Sequence, residues 1–335
     1  MYYVGLDVHK SQVTMCVLAK SGEVSMRRVI HGGTRAVVRA LRGVKGRVAV
    51  CFEASQGAGH FRDALRGAAE RVVVANPMQL RLIAKSKRKN DKADAEKLAK
   101  LLILNMVPEA HVPEIEVRAW RQMIEYRRKL LGRRTGVKSA IRSHLRAYGK
   151  SAGQCLWTRA GLKWLASESF PDALAVARRD LLLDELREAE ERLRRATTVL
   201  NGKARTHPGV ALLMTIPGVG PRTAEAVMAY IDDPRRFRRT NQVGTYFGLI
   251  PEQDQSASVN RLGHITRQGP SAVRWLLTEA AWQGIRKSPT LRRHYDRVLR
   301  GDKKRGKIAA VATAHFLARA MLAMLKTGEE WREVA

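Results

Sequence analysis

Residues 2–30 read YYVGLDVHKSQVTMCVLAKSGEVSMRRVI, and their pattern decides the fold of the first third of the chain. Tyr2–Val8 is an apolar run broken only by Asp7 and followed by His9 and Lys10, so it reads as a strand. Gln12–Ala19 and Glu23–Ile30 are β-rich, and Ser21-Gly22 between them supplies the residues of a hairpin turn. Working outward, Thr34 is a candidate N-cap for a helical stretch over Arg35–Arg42. Arg47–Glu53 (RVAVCFE) reads as a buried strand that, like the first, ends in an acid. Gly57–Glu70 carries helical spacing through Phe61, Leu65 and Ala68, and Arg71–Asn76 is a further strand stopped by Pro77. A basic stretch, Arg81–Lys92, leads into a helix from about Asp91 to Ile103. Three hairpin-like strands followed by β-α units predict a mixed sheet flanked by helices over residues 1–109.

Residues 110–205 change character: they are Arg-rich and helical, with almost no strand pattern. Leu182, Leu186, Ala189, Leu193, Ala196 and Leu200 follow the spacing of a coiled-coil seam. Trp120, Ile124, Leu131, Ile141, Leu145 and Tyr148 form a less regular stripe on an earlier helix, and Gly149–Gly153 breaks the pattern. The pair describes a long helical arm, closed either on itself or against a second copy. Residues 206–335 form a third, mainly helical region that ends in an apolar helix, Ile308–Leu325. The fold class is therefore α/β followed by all-α.

Lys and Arg total 62 against 31 Asp and Glu, a formal net charge of +31. So large a charge repels itself in a compact chain, which points to an anionic partner, with nucleic acid first. A membrane surface is the weaker alternative: no run of about 18 apolar residues, signal peptide or lipidation motif is expected. Cys16, Cys51 and Cys155 are scattered, so neither a zinc site nor a disulfide framework is indicated, and a reduced, cytoplasmic location is expected.

The chemistry-bearing residues are acids. Asp7 and Glu53 each end a strand, and that edge of an α/β sheet is where ligands bind. Asp91 and Asp94, three apart at a helix start, share one face. Gathered together, four carboxylates need a counter-charge, which Mg²⁺ or Mn²⁺ supplies through oxygen ligation. Two such ions activate a nucleophile and stabilise the leaving oxygen of a phosphodiester. Singly, each acid has an ordinary reading as a turn residue or helix cap. Lys85, Lys87, Arg88 and Lys89 precede Asp91 as a phosphate track; their ordinary reading is a solvated helix face.

Further along, Ile216–Ala224 reads IPGVGPRTA. Gly218 and Gly220 permit a tight turn, and Arg222 opens the next helix, the signature of a helix-hairpin-helix that grips the DNA backbone. A plain turn between packed helices is the alternative. Ser256 falls in a polar loop, EQDQSAS, shadowed by Arg261, His264, Arg267 and Gln268. A serine there can attack a phosphodiester if cations stabilise the developing charge, and Ser258 competes with it. His264 reads as a structural or phosphate contact; Arg236, Arg238 and Arg239 read as phosphate contacts or a solvated face.

Taken in order, GLDVHK (Gly5–Lys10), FEAS (Phe52–Ser55), NP (Asn76-Pro77), KNDKADAEKLA (Lys89–Ala99), IPGVGPRTA, GLIPEQDQSAS and RLGHITRQGPSAVRWLLTEAA resemble the blocks of the insertion sequence 110 family, the DEDD transposases. The resemblance implies an RNase H-like, RuvC-like domain over residues 1–109, a coiled-coil arm over 110–205 and a transposase domain over 206–335. It implies a metal-binding tetrad at Asp7, Glu53, Asp91 and Asp94, and a serine at Ser256 that forms a covalent phosphoserine link to DNA. It also implies a bridge RNA that pairs with target and donor DNA, and dimers that assemble into tetramers, the acids of one subunit completing a site with the serine of another. The chain departs from the family where ASVNRLG follows Ser256 in place of a Gly-rich run, which leaves Ser256 and Ser258 both open. A site-specific DNA invertase of the Piv type shares these blocks, and a non-catalytic nucleic-acid-binding protein is the alternative from another class.

Overall fold

The computed structural model describes residues 1–83, 91–151, 153–256 and 259–333; at positions 91, 92, 256, 259, 260 and 262 it describes the backbone alone. The chain groups into two compact units, Met1–Ile115 and Glu116–Ala335.

In the first unit the elements run β1 (Tyr2–Val8), β2 (Gln12–Leu18), β3 (Val24–His31), α1 (Gly33–Arg42), β4 (Val48–Glu53), α2 (Ala58–Leu65), β5 (Arg71–Ala75), α3 (Pro77–Ile83) and α4 (Asp91–Ile103). They form one mixed sheet in the order β3-β2-β1-β4-β5. The antiparallel half, β1 to β3, comes from tight connections; β4 and β5 pair parallel because helices carry the chain back between them. Ser21-Gly22 makes the expected turn, with the Ala19 amide donating to the Glu23 carbonyl at 2.9 Å.

Strand alternation sorts the side chains onto two faces. Val4, Leu6, Val50 and Phe52 face α1 and α2, meeting Val37, Leu41, Phe61 and Leu65. Ala49, Cys51 and Val73 face the other way, where Leu98 and Leu102 of α4 cover them. Gly5 lies on that second face. A Cβ there would collide with the Ala95 carbonyl oxygen and stand 2.7 Å from the Ala99 amide nitrogen, so α4 rides directly on the backbone of β1.

Three local expectations change. α1 begins one residue before Thr34, because Gly32 takes the N-cap position with φ 101° and no side chain caps the helix. α2 stops at Leu65 instead of continuing to Glu70. Pro77 does more than stop β5; it opens α3, where its missing N–H costs nothing.

The second unit holds α5 (Ile115–Ala147), α6 (Arg159–Ser167), α7 (Ala173–Thr206), α8 (Pro208–Leu213), α9 (Pro221–Ile231), α10 (Gln242–Phe247), β6 (Pro251–Ser256), β7 (Val259–Ile265), α11 (Ser271–Lys287), α12 (Pro289–Leu299) and α13 (Gly306–Thr327). The seam on α7 closes within the chain. Val137, Ile141 and Leu145 of α5 meet Leu183 and Leu186; Leu130 meets Leu193 and Ala196; Trp120 and Ile124 meet Leu200 and Ala204. The two long helices therefore run antiparallel. Leu130 is buried where Leu131 was expected, and Leu183 more deeply than Leu182. Leu183 shares its cluster with Leu165 of α6, so a third helix widens the buried face beyond a two-helix seam.

At its base the arm joins a single core with α8 to α13. No run of about 18 apolar residues was expected, yet Lys303–Thr327 contains an 18-residue stretch of mean hydropathy 1.7 that by length and composition could cross a membrane. Here Ala314, Leu317, Ala318, Met321 and Leu322 are buried in the core of the second unit. β6 and β7 form an antiparallel hairpin where a loop was expected. The β6 sequence, PEQDQS, carries no apolar alternation to announce it.

One buried ion pair ties the arm to this core. Glu225 of α9 is 1% exposed and lies 3.0 Å from Arg222, whose guanidinium donates to Asn201 Oδ1 of α7 at 2.7 Å. Burial pushes the Glu225 carboxyl up to about 7, against the pull of Arg222 and Arg127.

Gly5→Ala should lift α4 from the sheet and lower the urea-unfolding free energy of the first unit by about 1–3 kcal/mol, the range for overpacking a tight contact. Glu225 holds its proton to higher pH when folded than when unfolded, so its contribution is most favourable in acid and falls as pH rises through about 7. The wild-type urea midpoint should accordingly drop between about pH 5 and about pH 8 by an amount that Glu225→Gln removes.

Candidate active site

The carboxyl ends of β1 and β4 lie side by side. The strands pair parallel with Leu6 opposite Phe52, so Asp7 and Glu53 follow at the same level on neighbouring strands. Alternation turns both toward the α4 face: Leu6 and Phe52 point into the opposite core, and Gly5 and Cys51 lie under α4. α4 runs antiparallel to β1, since Tyr3 packs with Leu98 and Leu102 while Gly5 meets Ala95. Its first turn, Asp91 to Asp94, therefore lies at the Asp7 end. The fold thus brings the four acidic positions to one end of one sheet face; for Asp91 this is a statement about backbone position.

The side chains have near neighbours that the sequence reading did not single out. Asp7 Oδ2 lies 3.0 Å from His9 Nε2, and Lys97 Nζ donates to Asp94 Oδ1 at 3.0 Å. Glu53 is exposed at the strand end. One turn along α4, Glu96 receives Arg27 at 2.6 Å and Lys100 at 2.7 Å, which lowers its carboxyl below the ordinary range. Spacing could have found both neighbours, since Lys97 is three residues beyond Asp94 and His9 is two beyond Asp7 on the same strand face. Among the described residues no three His, Cys, Asp or Glu side chains stand close enough to hold a metal ion. Asp7, Glu53 and Asp94 offer carboxylate oxygens at this edge, donors that suit a hard divalent cation, with the His9 imidazole beside Asp7. Lys97 and His9 hold two of them.

In the second unit, Ser256 is the last residue of β6 and pairs with Val259 across the tip. Arg261, His264 and Arg267 are exposed on the same hairpin and its exit. Ser258, and Lys85, Lys87, Arg88 and Lys89, lie outside the described residues. The Gly218 turn packs inward: a Cβ there would lie 2.5 Å from the Gly284 amide nitrogen of α11, whereas Gly220 faces open space. Arg222 is not offered to solvent; Glu225 and Asn201 occupy its guanidinium. Arg236 also turns inward, donating to the Ile231 and Tyr230 carbonyls and stacking 4.4 Å from the Tyr246 ring, while Arg238 and Arg239 remain exposed.

Residues 4–150 match a family model of DEDD transposases of the IS110 type, described as Transposase. Residues 210–296 match the model described as Transposase IS116/IS110/IS902 family. A Sinorhizobium fredii protein named as a transposase, y4pF/y4sB, is 29% identical over 85% of this chain and 74% of its own length. A Pseudomonas aeruginosa protein named as a family 20 transposase is 27% identical over 96% of each chain. The transposase for insertion sequence element IS1111A of Coxiella burnetii is 26% identical over 83% of this chain and 76% of its own. Two family matches, one spanning the acidic strand ends and the other the serine hairpin, agree with relatives that run nearly the length of the chain: the protein belongs to the IS110 family of transposases.

Proposed function

We propose that this chain cuts and rejoins DNA through a covalent serine intermediate, with Asp7, Glu53, Asp91 and Asp94 holding the divalent cation the reaction uses. The observation that carries this reading is the convergence of the acidic positions on one end of the sheet, beneath a helix seated on Gly5. The strand order β3-β2-β1-β4-β5, with β2 antiparallel to its neighbours, supports an RNase H-like assignment of the first unit.

In the proposed reaction the Ser256 hydroxyl loses its proton and its oxygen bonds to a backbone phosphorus. The bond from that phosphorus to one deoxyribose oxygen breaks, and the oxygen leaves as a hydroxyl. A hydroxyl from the exchanging strand then attacks the phosphoserine, restoring a phosphodiester and freeing the serine. Each step exchanges one phosphate ester for another, so strand exchange needs no external energy source. Mg²⁺ or Mn²⁺, when bound by the acids, offsets charge on the reacting phosphate and stabilises the oxygens that enter and leave. Arg261, on the strand paired with β6, supplies further positive charge on the hairpin, and Arg267 does so at its root. The open approach at Gly220 suits backbone contact with DNA, and Lys85, Lys87, Arg88 and Lys89 extend the phosphate track.

Site choice is assigned to a bridge RNA paired with both DNA partners, so the protein itself reads backbone and shape. The net charge of +31 supports nucleic-acid partners, and a homodimer or homotetramer is carried over from the family resemblance.

The test uses the full chain with a duplex spanning its element's end, the RNA transcribed beside its gene, and Mg²⁺. Wild type should yield a protein–DNA adduct that survives denaturation, with the modified serine mapped by mass spectrometry. Ser256→Ala should abolish the adduct while retaining DNA binding. Asp7→Ala or chelation should lower adduct formation by at least about a hundredfold, as for other single losses of transition-state charge stabilisation. An adduct that persists in Ser256→Ala, or maps to Ser258, removes Ser256 from the mechanism. Unchanged site choice without RNA removes the guide.

A further inference from the structure

The hairpin of β6 and β7 has little to hold it. Residues 251–255 are exposed, as are Arg261, Gly263 and His264 on the return strand. A lone two-stranded hairpin is marginal in water, so its direction must be fixed where it joins the body. That junction is unusually close. The outgoing leg passes through Gly248, with φ 65°, and the returning leg through Arg267 and Gly269, with φ 53° and 72°. A Cβ on Gly248 would collide with the Gln268 carbonyl oxygen, and one on Gly269 with that of Tyr246. The legs therefore cross backbone against backbone, and the Thr266 amide donates to the Ile250 carbonyl at 2.9 Å just beyond the crossing.

Arg274, in the first turns of α11, lies against this crossing. Its Nη1 donates to the carbonyls of Phe247 at 3.1 Å, Gln268 at 2.6 Å and Gly269 at 3.1 Å. Two hydrogens on one nitrogen serve three acceptors, one on the outgoing leg and two on the returning leg. Phe247 is also the last residue of α10, where the partial negative charge of the helix end favours a cation.

We infer that Arg274 is a positioning residue for strand exchange: it clamps both legs of the hairpin and so sets the direction in which β6 presents Ser256 to the phosphate. This rests on the reading of Ser256 as the nucleophile. The side chain acts through the backbone of residues 247 and 268–269. A displacement of about 1 Å at a nucleophile costs about a hundredfold in rate.

The test compares the full-length wild type with R274M, R274K and S256A. R274M keeps the aliphatic stem and loses the donors. Amide hydrogen exchange over residues 251–265 should quicken about tenfold or more in R274M, while α9, α11 and α13 exchange as in wild type. Its affinity for the element-end duplex should stay within about twofold, and its rate of covalent adduct formation at saturating DNA should fall about a hundredfold. R274K, which keeps a cation able to reach the carbonyls, should recover part of both. Should R274M fail to fold, R274Q, with a single donor group, is read in the same assays. Wild-type exchange and adduct rate in R274M or R274Q overturns the inference. An adduct retained by S256A but lost in R274M, with quickened hairpin exchange, overturns the serine assignment and leaves the clamp standing. An adduct lost in S256A but formed at the wild-type rate by R274M does the reverse.

Discussion

Gly5 meets the carbonyl of Ala95 with no room for a side chain between them, and the arrangement of the first unit follows from that contact. It lets α4 lie against β1 at backbone distance, with Ala95 and Ala99 toward the strand and Leu98 and Leu102 over Cys51 and Val73. The helix is thereby oriented so that its first turn ends beside Asp7. At this end Lys97 donates to Asp94 and the His9 ring lies beside Asp7, so two of the acids have polar partners. The packing that brings the acidic positions to one end of the sheet is thus separate from the polar contacts that Asp7 and Asp94 make there.

The second unit solves a different problem, a long arm that must be held at one end. Apolar residues along α5 and α7 zip the two helices together, but a zipper alone would leave the arm free to rotate at its base. There Trp120, Ile124, Leu200 and Ala204 enter the same core as α8 to α13. The pair of Arg222 and Glu225, with Asn201 joined to it, adds a polar lock whose geometry is specific. Such buried polar groups contribute less to net stability than to fixing one arrangement. Glu225 Oε2 has no hydrogen-bond partner, which fits a carboxyl whose proton is held more tightly than usual.

The sheet was legible because its signals are local. Tyr2–Val8, Gln12–Leu18 and Val48–Glu53 carry runs or alternation that no helix would show, and the resulting strand ends carry Asp7 and Glu53. The seam on α7 was legible for the same reason. Leu131 and Leu182, the expected positions, pack against these clusters but are only half-buried; Leu130 and Leu183 beside them are buried, because the packed face is wider than the spacing records. The hairpin of β6 and β7 was not legible at all: PEQDQS has no apolar face, and its strand pairing is imposed by the crossing at its root. Arg222 read as a free cation because its partners, Glu225 and Asn201, are a turn away and on another helix.

The sequence by itself determined the class of fold, the anionic character of the partner and the ordered blocks shared with the transposase family. Each of these rests on composition, on periodicity or on residues near one another in the chain. Only the tertiary structure decided that α4 runs antiparallel to β1, that the arm closes on itself, and that Arg274 grips both legs of the hairpin. Those outcomes depend on which surfaces can approach to van der Waals distance and which carbonyls are left for a distant donor. They are properties of packing between segments far apart in the chain, and no local pattern encodes them.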